Sequence, residues 1–583
     1  MTSLSEILEG AEVIGYVGSP STSVEIKLDL LETAYTKAIV GNFCLIAFKQ
    51  DGKDSLCIGQ LTETTLRNPY LERHSVEKII SVRGQAKPLS GEHDVLTVIL
   101  VPGTTYTLEK GSIIPSNLAT VPPTGTPAYI LNQNMVEKLI PKSKETAFIG
   151  KMYGTDILLP MLFKHFGKVE QGGLGEAYHL GIFGKTGSGK SYLARMLCSI
   201  YGRYPEMSIL GIDPIGEYAR EITKNGPLGN YLKSAHRQVA VYDISQISLT
   251  RPEALKRILL TSDFLNIMGV RARENQEYAA NLISEFFERN KSIAFVDGEI
   301  DSLPNAYQDI VFNKLIDYIK KYIRRIYVST NEQTRVLDIL ENERGKLFSI
   351  WKPIAVLFDG RRKSVDDIIR DVCIRREIVF VNLSPEVSAS GIYWNDRVMA
   401  IVIDEILKSL VAIASELWRK KEELLNLLVM IDEAHRFVPR ETPSTDEFKS
   451  LKKTLVDAVL ETRKYGLGWL FISQSLATVD MEILRQLRIY FMGYGLSWGS
   501  EYYTLEQLVG RGPYLDLYAS FKDPQTAASL GKKEYPFMAY GPVSPLSISG
   551  KPIFFVALDY FTEFPSVNNF KNLNKNIYAQ KSN

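Results

Sequence analysis

The stretch GIFGKTGSGKSYLARML, residues 181–197, contains a complete GxxxxGK[ST] pattern from Gly184 to Ser191. An apolar run, Leu180 to Phe183, comes directly before it and predicts a buried strand. Apolar residues then recur at i, i+3, i+4 and i+7 from Leu193 onward, which predicts a helix. The sequence thus predicts strand, loop and helix in the order that a phosphate-binding loop requires.

The residue types of this loop suit the phosphates of a nucleotide. Glycines let successive backbone N–H groups turn toward one anion, with the N-terminus of a helix behind them. Lys190 can reach the β- and γ-phosphates of ATP, and the Ser191 hydroxyl can bind Mg²⁺. The alternative, a Gly-rich turn with a surface lysine, is disfavoured by the flanking strand and helix. We therefore expect nucleotide contacts at Gly184, Lys185, Thr186, Gly187, Ser188, Gly189, Lys190, Ser191 and Tyr192.

A second stretch, LLVMIDEAHRF at residues 427–437, is an apolar run that ends on two adjacent acids, Asp432 and Glu433. Neighbouring carboxylates repel each other and are costly to bury, so the pair either faces solvent or lies beside a positive charge. Next to a phosphate-binding loop, Asp432 can help to hold Mg²⁺. Glu433 can then orient or deprotonate the water that attacks the γ-phosphate. The alternative is a helix N-terminus with acids in its first turn.

Three further stretches place polar residues at the ends of predicted strands. LGIDPIGEY supplies Asp213 and Glu217, which could face the nucleotide. GWLFISQS supplies Gln474, which suits a sensor of the γ-phosphate or its water. ETRKYG supplies Arg463 and Lys464, either of which could bring positive charge to the transition state from its own or a neighbouring subunit. The ordinary alternatives are a strand-end turn, a structural glutamine and a solvated helix end.

The order of predicted elements also divides the chain into regions. Short β-rich runs separated by turn residues predict a small N-terminal β-barrel. Apolar strands then alternate with helices, which predicts an α/β fold with a mostly parallel sheet, and a stretch of helical periodicity interrupts it. We predict a barrel at 1–115, a Pro- and Thr-rich linker at 116–145, the first part of the core at 146–249, a helical insertion at 250–372, the second part at 373–545 and a C-terminal tail at 546–583.

Composition and charge exclude several classes of protein. The chain has 68 basic and 67 acidic residues, so any DNA contact needs a local basic surface. Four dispersed cysteines indicate reduced thiols, not a disulfide framework or a zinc site. The N-terminus lacks the features of a signal peptide, and no run approaches the roughly 20 apolar residues of a membrane span. We therefore expect a cytoplasmic protein with no membrane contact.

Taken in order, GKTGSGKS, DPIGEY, LLVMIDEAHRFVP, ETRKYGLG and FISQS resemble the motifs of the HerA branch of the FtsK/HerA superfamily of P-loop ATPases. VIGYVGS and VGNFCLIAF are similar to the small barrel of that family. The resemblance implies a RecA-like core and a homohexamer that threads double-stranded DNA through its central channel by ATP hydrolysis. It also implies an effector partner, either a nuclease or, in anti-phage defence, a sirtuin-type NADase. The barrel would dock that partner, and the C-terminal segment would brace the next subunit.

The resemblance also implies roles for single residues. Lys190 and Ser191 would bind phosphate and Mg²⁺, Asp432 would support the metal, Glu433 would be the catalytic acid, Gln474 the sensor, and Arg463 an arginine that acts at the nucleotide. The sequence departs from the family pattern in two places. Ile215 stands where the family often has histidine, and Ser475-Leu476 stands where it often has Arg-Pro. Arg485 and Arg488 are then further candidates for the arginine that acts between subunits.

DNA contacts are expected in basic loops that face the pore, although each such cluster alone is commonly a solvated face. The candidates are Arg271, Arg273, Arg361, Arg362 and Lys363, followed by the KKYIRR segment at 320–325. Two functions of different classes remain open from the sequence. The first is an ATP-driven translocase or helicase on duplex DNA, and the second is an ATP-binding hexameric scaffold that assembles and activates an effector enzyme. A conjugation or segregation pump is disfavoured by the lack of a membrane span.

Overall fold

The structure of the chain is a computed structural model. It describes residues 3–72, 89–109, 111–140, 146–163, 166–167, 177–295, 298–387, 391–421, 423–528, 533–547 and 550–570.

The N-terminal region forms an antiparallel sheet that closes into a barrel, as the β-rich runs predict. Its strands are β1 (Val13–Val17), β2 (Ile26–Leu30), β3 (Phe43–Gln50), β4 (Lys53–Arg67), β5 (Val95–Glu109), β6 (Ser112–Ser116) and β7 (Pro127–Ile130). The order is β2-β1-β7-β3-β4-β5, and β5 pairs again with β2, so that six strands form a closed ring. Three short helices accompany the barrel: α1 (Leu4–Ile7), α2 (Leu89–Glu92) and α3 (Gln133–Leu139).

Strand β7 corrects the interpretation of residues 116–145 as a linker. It lies between β1 and β3 and pairs with both, so the barrel does not close without it. Its proline content misled the sequence interpretation. Pro127 is the first residue of the strand, where the missing N–H is tolerated.

The core is an eleven-stranded sheet in the order β12-β17-β11-β18-β19-β10-β20-β21-β22-β8-β9. The first seven are parallel and the remaining pairings are antiparallel. Several parallel strands are buried at every position, as expected for strands covered on both faces. The strands are β8 (Thr146–Met152), β9 (Leu158–Leu162), β10 (Leu180–Phe183), β11 (Ser208–Asp213), β12 (Val239–Asp243), β17 (Ile378–Asn382), β18 (Leu427–Ile431), β19 (Leu467–Ser473), β20 (Ile489–Gly493), β21 (Pro536–Tyr540) and β22 (Ile553–Ala557).

Helices cover the core sheet, and they come from the chain segments before and after the helical insertion. The first part of the core contributes α4 (Lys190–Gly202), α5 (Glu217–Thr223) and α6 (Pro227–Ser234). The second part contributes α14 (Asp396–Lys421), α15 (Asp446–Thr462), α16 (Met481–Gln486), α17 (Gly499–Val509), α18 (Pro513–Ala519), α19 (Pro524–Ala528) and α20 (Glu563–Val567). Among the described residues, no helix combines the length and the apolarity needed to cross a bilayer.

The predicted insertion is mainly helical, as its periodicity indicates. Its helices are α7 (Pro252–Thr261), α8 (Phe264–Ile267), α9 (Arg273–Arg289), α10 (Asp309–Lys321), α11 (Thr330–Asn342), α12 (Arg344–Ala355) and α13 (Val365–Ile374). Two small two-stranded sheets accompany them, formed by β13 (Ile247–Ser248) with β16 (Lys363–Ser364), and by β14 (Ser292–Phe295) with β15 (Gly298–Asp301).

The C-terminal segment 546–583 is not simply a tail. Strand β22 lies within the core sheet, where it pairs with β21 and β8, and Phe555 is fully buried. The apolar run IFFVA is short and follows a polar stretch, which is why the sequence interpretation ended the core too early, at residue 545. The Asn-rich end of the chain, 571–583, lies outside the described residues, so both the frayed-tail and the brace interpretations of it stay predictions.

Candidate nucleotide-binding site

Apart from Arg463, the predicted site residues lie at or just after the carboxyl ends of neighbouring parallel strands. The loop follows β10, Gln474 follows β19, Asp432 follows β18 and Asp213 ends β11. The register aligns these ends: Phe183 pairs with Ser473, and β18 and β11 lie alongside in the same direction. In open α/β sheets this edge is where ligands bind.

The loop between β10 and α4 has a backbone that requires glycine. Gly184, Gly187 and Gly189 have φ values of 151°, 83° and 92°, which L side chains rarely adopt. A Cβ on Gly187 would lie 2.4 Å from Gln525 Nε2, and one on Gly189 would lie 2.7 Å from Tyr535 Cδ1. These glycines therefore leave a cradle beside the N-terminus of α4, and that shape suits phosphate.

Gln474 connects this loop to the proposed catalytic acid. Thr186 Oγ1 donates a hydrogen bond to Gln474 Oε1 at 2.9 Å, and Gln474 Nε2 donates to Glu433 Oε1 at 3.0 Å. Glu433 itself has a left-handed backbone with φ 50°, an uncommon conformation outside glycine that often marks functional sites. Its other oxygen lies 3.4 Å from His435 Nδ1. Gln474 and Glu433 are thus in direct contact, while their roles as sensor and catalytic acid stay predictions.

Ser191 and Glu217 also meet at the site, whereas Asp213 has a different role. Ser191 Oγ donates to Glu217 Oε2 at 3.2 Å, and Arg195 Nη2 holds the other oxygen of Glu217 at 2.7 Å. Asp213 instead accepts backbone N–H groups of Gly216 at 2.7 Å and Ala219 at 2.9 Å, so both of its oxygens are used by the turn. The strand-end turn is therefore the correct interpretation for Asp213, and its predicted nucleotide contact has no support in the geometry.

The electrostatics of the site favour a cation beside Asp432. Burial first, and then the neighbouring charge of Glu433, raise the pKa of Asp432 to about 7. A dication at this position would stabilise both charged carboxylates. MgATP also fits the anion side, because Ser188 Oγ is buried without a partner among the described residues. Lys190 would supply the opposite charge; burial lowers its pKa, while Glu433 and Asp432 counteract that effect.

Arg463 lies far from the loop in its own subunit. It precedes β19, whereas Gln474 follows it, and seven strand residues at about 3.3 Å each separate the two edges by about 20 Å. Burial, together with the charges of Arg463 and Arg488, lowers the pKa of His179 to about 4. His179 directly precedes β10, so both arginines lie near the amino ends of the strands. Arg485 also precedes β20. An action of Arg463 within its own subunit is thus excluded, and one from a neighbouring subunit stays a prediction.

The site includes residues that sequence reasoning missed. A cavity of about 360 Å³ over the loop is lined partly by residues outside every motif, namely Arg195, Gln525, Lys533 and Tyr535. The last three come from a segment more than 300 residues after the loop. No spacing or composition links that segment to the loop, so only the fold brings them together.

Several of the basic residues predicted to contact DNA are paired with acids in the structure. Arg361 Nη2 lies 2.6 Å from Asp359, and Lys363 binds Asp371. In the KKYIRR segment, Arg325 lies 2.7 Å from Glu285. The acids of these pairs, Asp359, Asp371 and Glu285, are largely buried, with side-chain exposures of 5%, 10% and 17%. DNA contact at these loops stays a prediction.

Residues 177–410 match the family model described as the central domain of the helicase HerA, DUF87. This part of the chain is therefore similar to a HerA central domain. The matched segment begins just before β10 and ends within α14, so it includes the phosphate loop and the helical insertion. The core around it has the α/β fold that the motifs of a P-loop ATPase predict. No curated protein matches the sequence significantly.

Solved structures with a similar fold are distant. The bacterial conjugative coupling protein TrwBΔN70 is 16% identical over 66% of this chain and 85% of its own, with a TM-score of 0.36. VirB4 of Thermoanaerobacter pseudethanolicus is 15% identical over 72% and 98%, with a TM-score of 0.37. The genome-packaging NTPase B204 of Sulfolobus turreted icosahedral virus 2, in complex with ATP-gammaS, is 11% identical over 65% and 96%, with a TM-score of 0.25. These similarities carry no inference about the function of this chain.

Proposed function

We propose that the chain is an ATPase that hydrolyses MgATP and uses the energy to move double-stranded DNA. The observation that carries this proposal is the pair of hydrogen bonds from Thr186 through Gln474 to Glu433. It connects the phosphate loop, a sensor and a carboxylate that can serve as a general base. A protein that only stored a nucleotide would not need a base aligned with the loop.

The proposed hydrolysis uses the residues of the cradle in distinct roles. Backbone N–H groups of the loop and Lys190 hold the β- and γ-phosphates. Ser191 and Asp432 would hold Mg²⁺, which when bound neutralises charge on the phosphate oxygens. Glu433 orients the attacking water and accepts its proton. Gln474, which donates to Glu433, keeps that carboxylate aimed at the γ-phosphate position.

We further propose a homohexameric ring with duplex DNA in its channel. Rings of this kind close through heterologous contacts, and the arginines at the amino edge of the sheet would then reach the nucleotide of the next subunit. A nuclease or a sirtuin-type NADase would be the effector partner, in DNA end processing or anti-phage defence in the cytoplasm. Light scattering with ATP and Mg²⁺ tests the ring, and a monomer under those conditions would contradict it.

A second candidate is an ATP-binding hexameric scaffold that activates an effector enzyme. It is favoured by the loop after Gln474, which has no arginine. Ser475 Oγ donates to Glu501 there, and the backbone N–H groups of Leu476 and Ala477 donate to the same carboxylate at 2.8 and 2.9 Å. An internal contact thus occupies the place where a charge could act on a neighbouring nucleotide, and turnover of such a ring would depend on its partner.

ATP hydrolysis by the purified chain, with and without duplex DNA, separates these two functions. We expect DNA to raise the rate severalfold and Glu433→Gln to lower it by about 100-fold or more while MgATP binding is kept. Glu441→Gln, the same change at a nearby exposed acid, is the matched control and keeps the wild-type rate. A hydrolysis rate that does not change with DNA, or hydrolysis that requires an added effector, would favour the scaffold. A fully active Glu433→Gln variant would contradict the proposed base.

A further inference from the structure

A second cavity adjoins the one over the phosphate loop. It has a volume of about 550 Å³ and lies between the start of α4 and the C-terminal strand β22 with the residues that follow it. Tyr192, Lys533 and Tyr535 line both cavities, so the two spaces share a wall. Tyr535 also packs against Gly189 of the loop, where an added Cβ would lie 2.7 Å from its ring. We call the second space the side cavity.

Aromatic rings form one wall of the side cavity, and they contact one another. The ring centroid of Tyr192 lies 5.8 Å from that of Tyr535, 5.8 Å from that of Phe561 and 5.9 Å from that of Tyr560. The guanidinium of Arg195 lies 5.5 Å from the Tyr192 centroid, which supports the ring by a cation–π contact. Tyr192 and Phe561 are nevertheless only half-buried, so part of each ring remains open to a ligand.

The polar rim of the side cavity disfavours phosphate. It has four carboxylates against two lysines: Asp156, Glu534, Asp559 and Glu563, with Lys151 and Lys533. Lys151 is already engaged by Glu563 at 2.7 Å and by Asp156 at 3.2 Å. A rim of net negative charge repels an anion but accepts hydrogen bonds from hydroxyl and amino groups. An uncharged, flat, donor-bearing group therefore suits the space.

The phosphate loop and the side cavity lie next to each other, as the phosphates and the nucleoside of one nucleotide do. Tyr192 directly follows Ser191, so its ring lies beside the phosphate end of the cradle. A nucleotide with its phosphates on the loop would extend its ribose and base past Tyr192 into the side cavity. We propose that the side cavity binds the nucleoside part of the substrate, with the base against the rings of Tyr192 and Phe561. Residues 556–563 would thus take part in nucleotide selection, an inference that rests on the proposed ATPase function.

Comparison of a nucleotide with the bare phosphate chain tests this placement. Binding of AMP-PNP and of inorganic triphosphate, both with Mg²⁺, is measured by calorimetry on the full chain. Stacking of a base on an aromatic ring predicts that Tyr192→Leu weakens AMP-PNP binding about tenfold and leaves triphosphate binding unchanged. Tyr192→Phe keeps the ring and should bind both ligands as the wild type does. Tyr278→Leu, at an exposed tyrosine of α9, is the matched control.

The outcomes separate failure of the placement from failure of the proposed function. An equal loss of both ligands in Tyr192→Leu, or no loss of either, would overturn the placement while the phosphate site stands. If the wild type bound neither ligand, the ATPase proposal would fail and the placement with it. Phe561→Leu gives the same comparison from the C-terminal segment, in case Tyr192→Leu does not fold. There, too, a selective loss of AMP-PNP binding supports the placement, and an equal loss or no loss overturns it.

Discussion

The side-chain amide of Gln474 shows what the sequence could and could not predict about a single residue. Its place at the end of a strand follows from the apolar run before it, and so does its nearness to the loop. Its partners do not follow, because the hydrogen bonds to Thr186 and Glu433 depend on side-chain directions in three separate segments. Asp213 illustrates the opposite error, since its local turn satisfies the carboxylate that appeared free for a ligand.

Asp432 carries a charge that the site tolerates poorly without a cation. Because burial and the charge of Glu433 raise its pKa to about 7, the carboxylate is mostly ionised at pH 8 at a cost to stability. We expect Asp432→Asn to stabilise the nucleotide-free protein by roughly 1–3 kcal/mol in EDTA at pH 8. The same variant should lose the rise in melting temperature that MgATP gives the wild type.

Thermal melts with and without MgATP check both halves of this expectation. Asp457→Asn, on the exposed part of α15, is the control and should leave both melting temperatures unchanged. A lower melting temperature for Asp432→Asn in EDTA would contradict the view that the charged carboxylate destabilises the protein when no cation is bound. A normal response of the variant to MgATP would contradict its role at the metal.

At the scale of elements, strand β19 separates the predicted sensor, Gln474, from the predicted arginine, Arg463. Gln474 follows its last residue at the nucleotide edge, and Arg463 precedes its first residue at the opposite edge. A strand of this length keeps the two about 20 Å apart, so Arg463 does not reach the nucleotide site of its own chain, and its action in a neighbouring subunit stays a proposal. Arg488 directly precedes β20, a strand of five residues, and so also lies at the edge opposite the nucleotide site.

Mixing two inactive variants tests the action of Arg463 between subunits. We expect Arg463→Ala and Glu433→Gln each to hydrolyse little ATP alone. In mixed rings, the intact site of an Arg463→Ala subunit can face the intact arginine of a Glu433→Gln subunit, so part of the activity should return. Arg485→Ala and Arg488→Ala in the same experiment identify the arginine that acts. No recovery with any of the three would contradict an arginine that is shared between subunits.

Strands β7 and β22 explain why the domain boundaries were harder to predict than the fold. Both are short, and both lie in segments whose composition indicates loops. They become strands because each fills a gap between two partners, β1 and β3 in one case and β21 and β8 in the other. Pairing of this kind depends on residues far away in the sequence, so local pattern cannot reveal it.

At the scale of the whole molecule, the C-terminal strand links the barrel to the nucleotide site. Phe554 N donates to Gln60 Oε1 in the barrel at 3.0 Å, and Tyr106 Oη donates to Pro545 O at 3.0 Å. A few residues later, Tyr560 and Phe561 line the side cavity. The region predicted to dock an effector is thus packed against the segment proposed to contact the nucleoside. The sequence predicted both regions but not their contact.

Translocation on duplex DNA is the central claim, and displacement of a triplex-forming oligonucleotide measures it most directly. The purified chain is mixed with a duplex that carries a labelled third strand, and release of that strand is followed over time. We predict release with ATP and Mg²⁺, and none with AMP-PNP or with the Glu433→Gln variant. Vigorous DNA-stimulated hydrolysis with no release of the third strand would contradict the account, because the energy would then serve something other than movement along DNA.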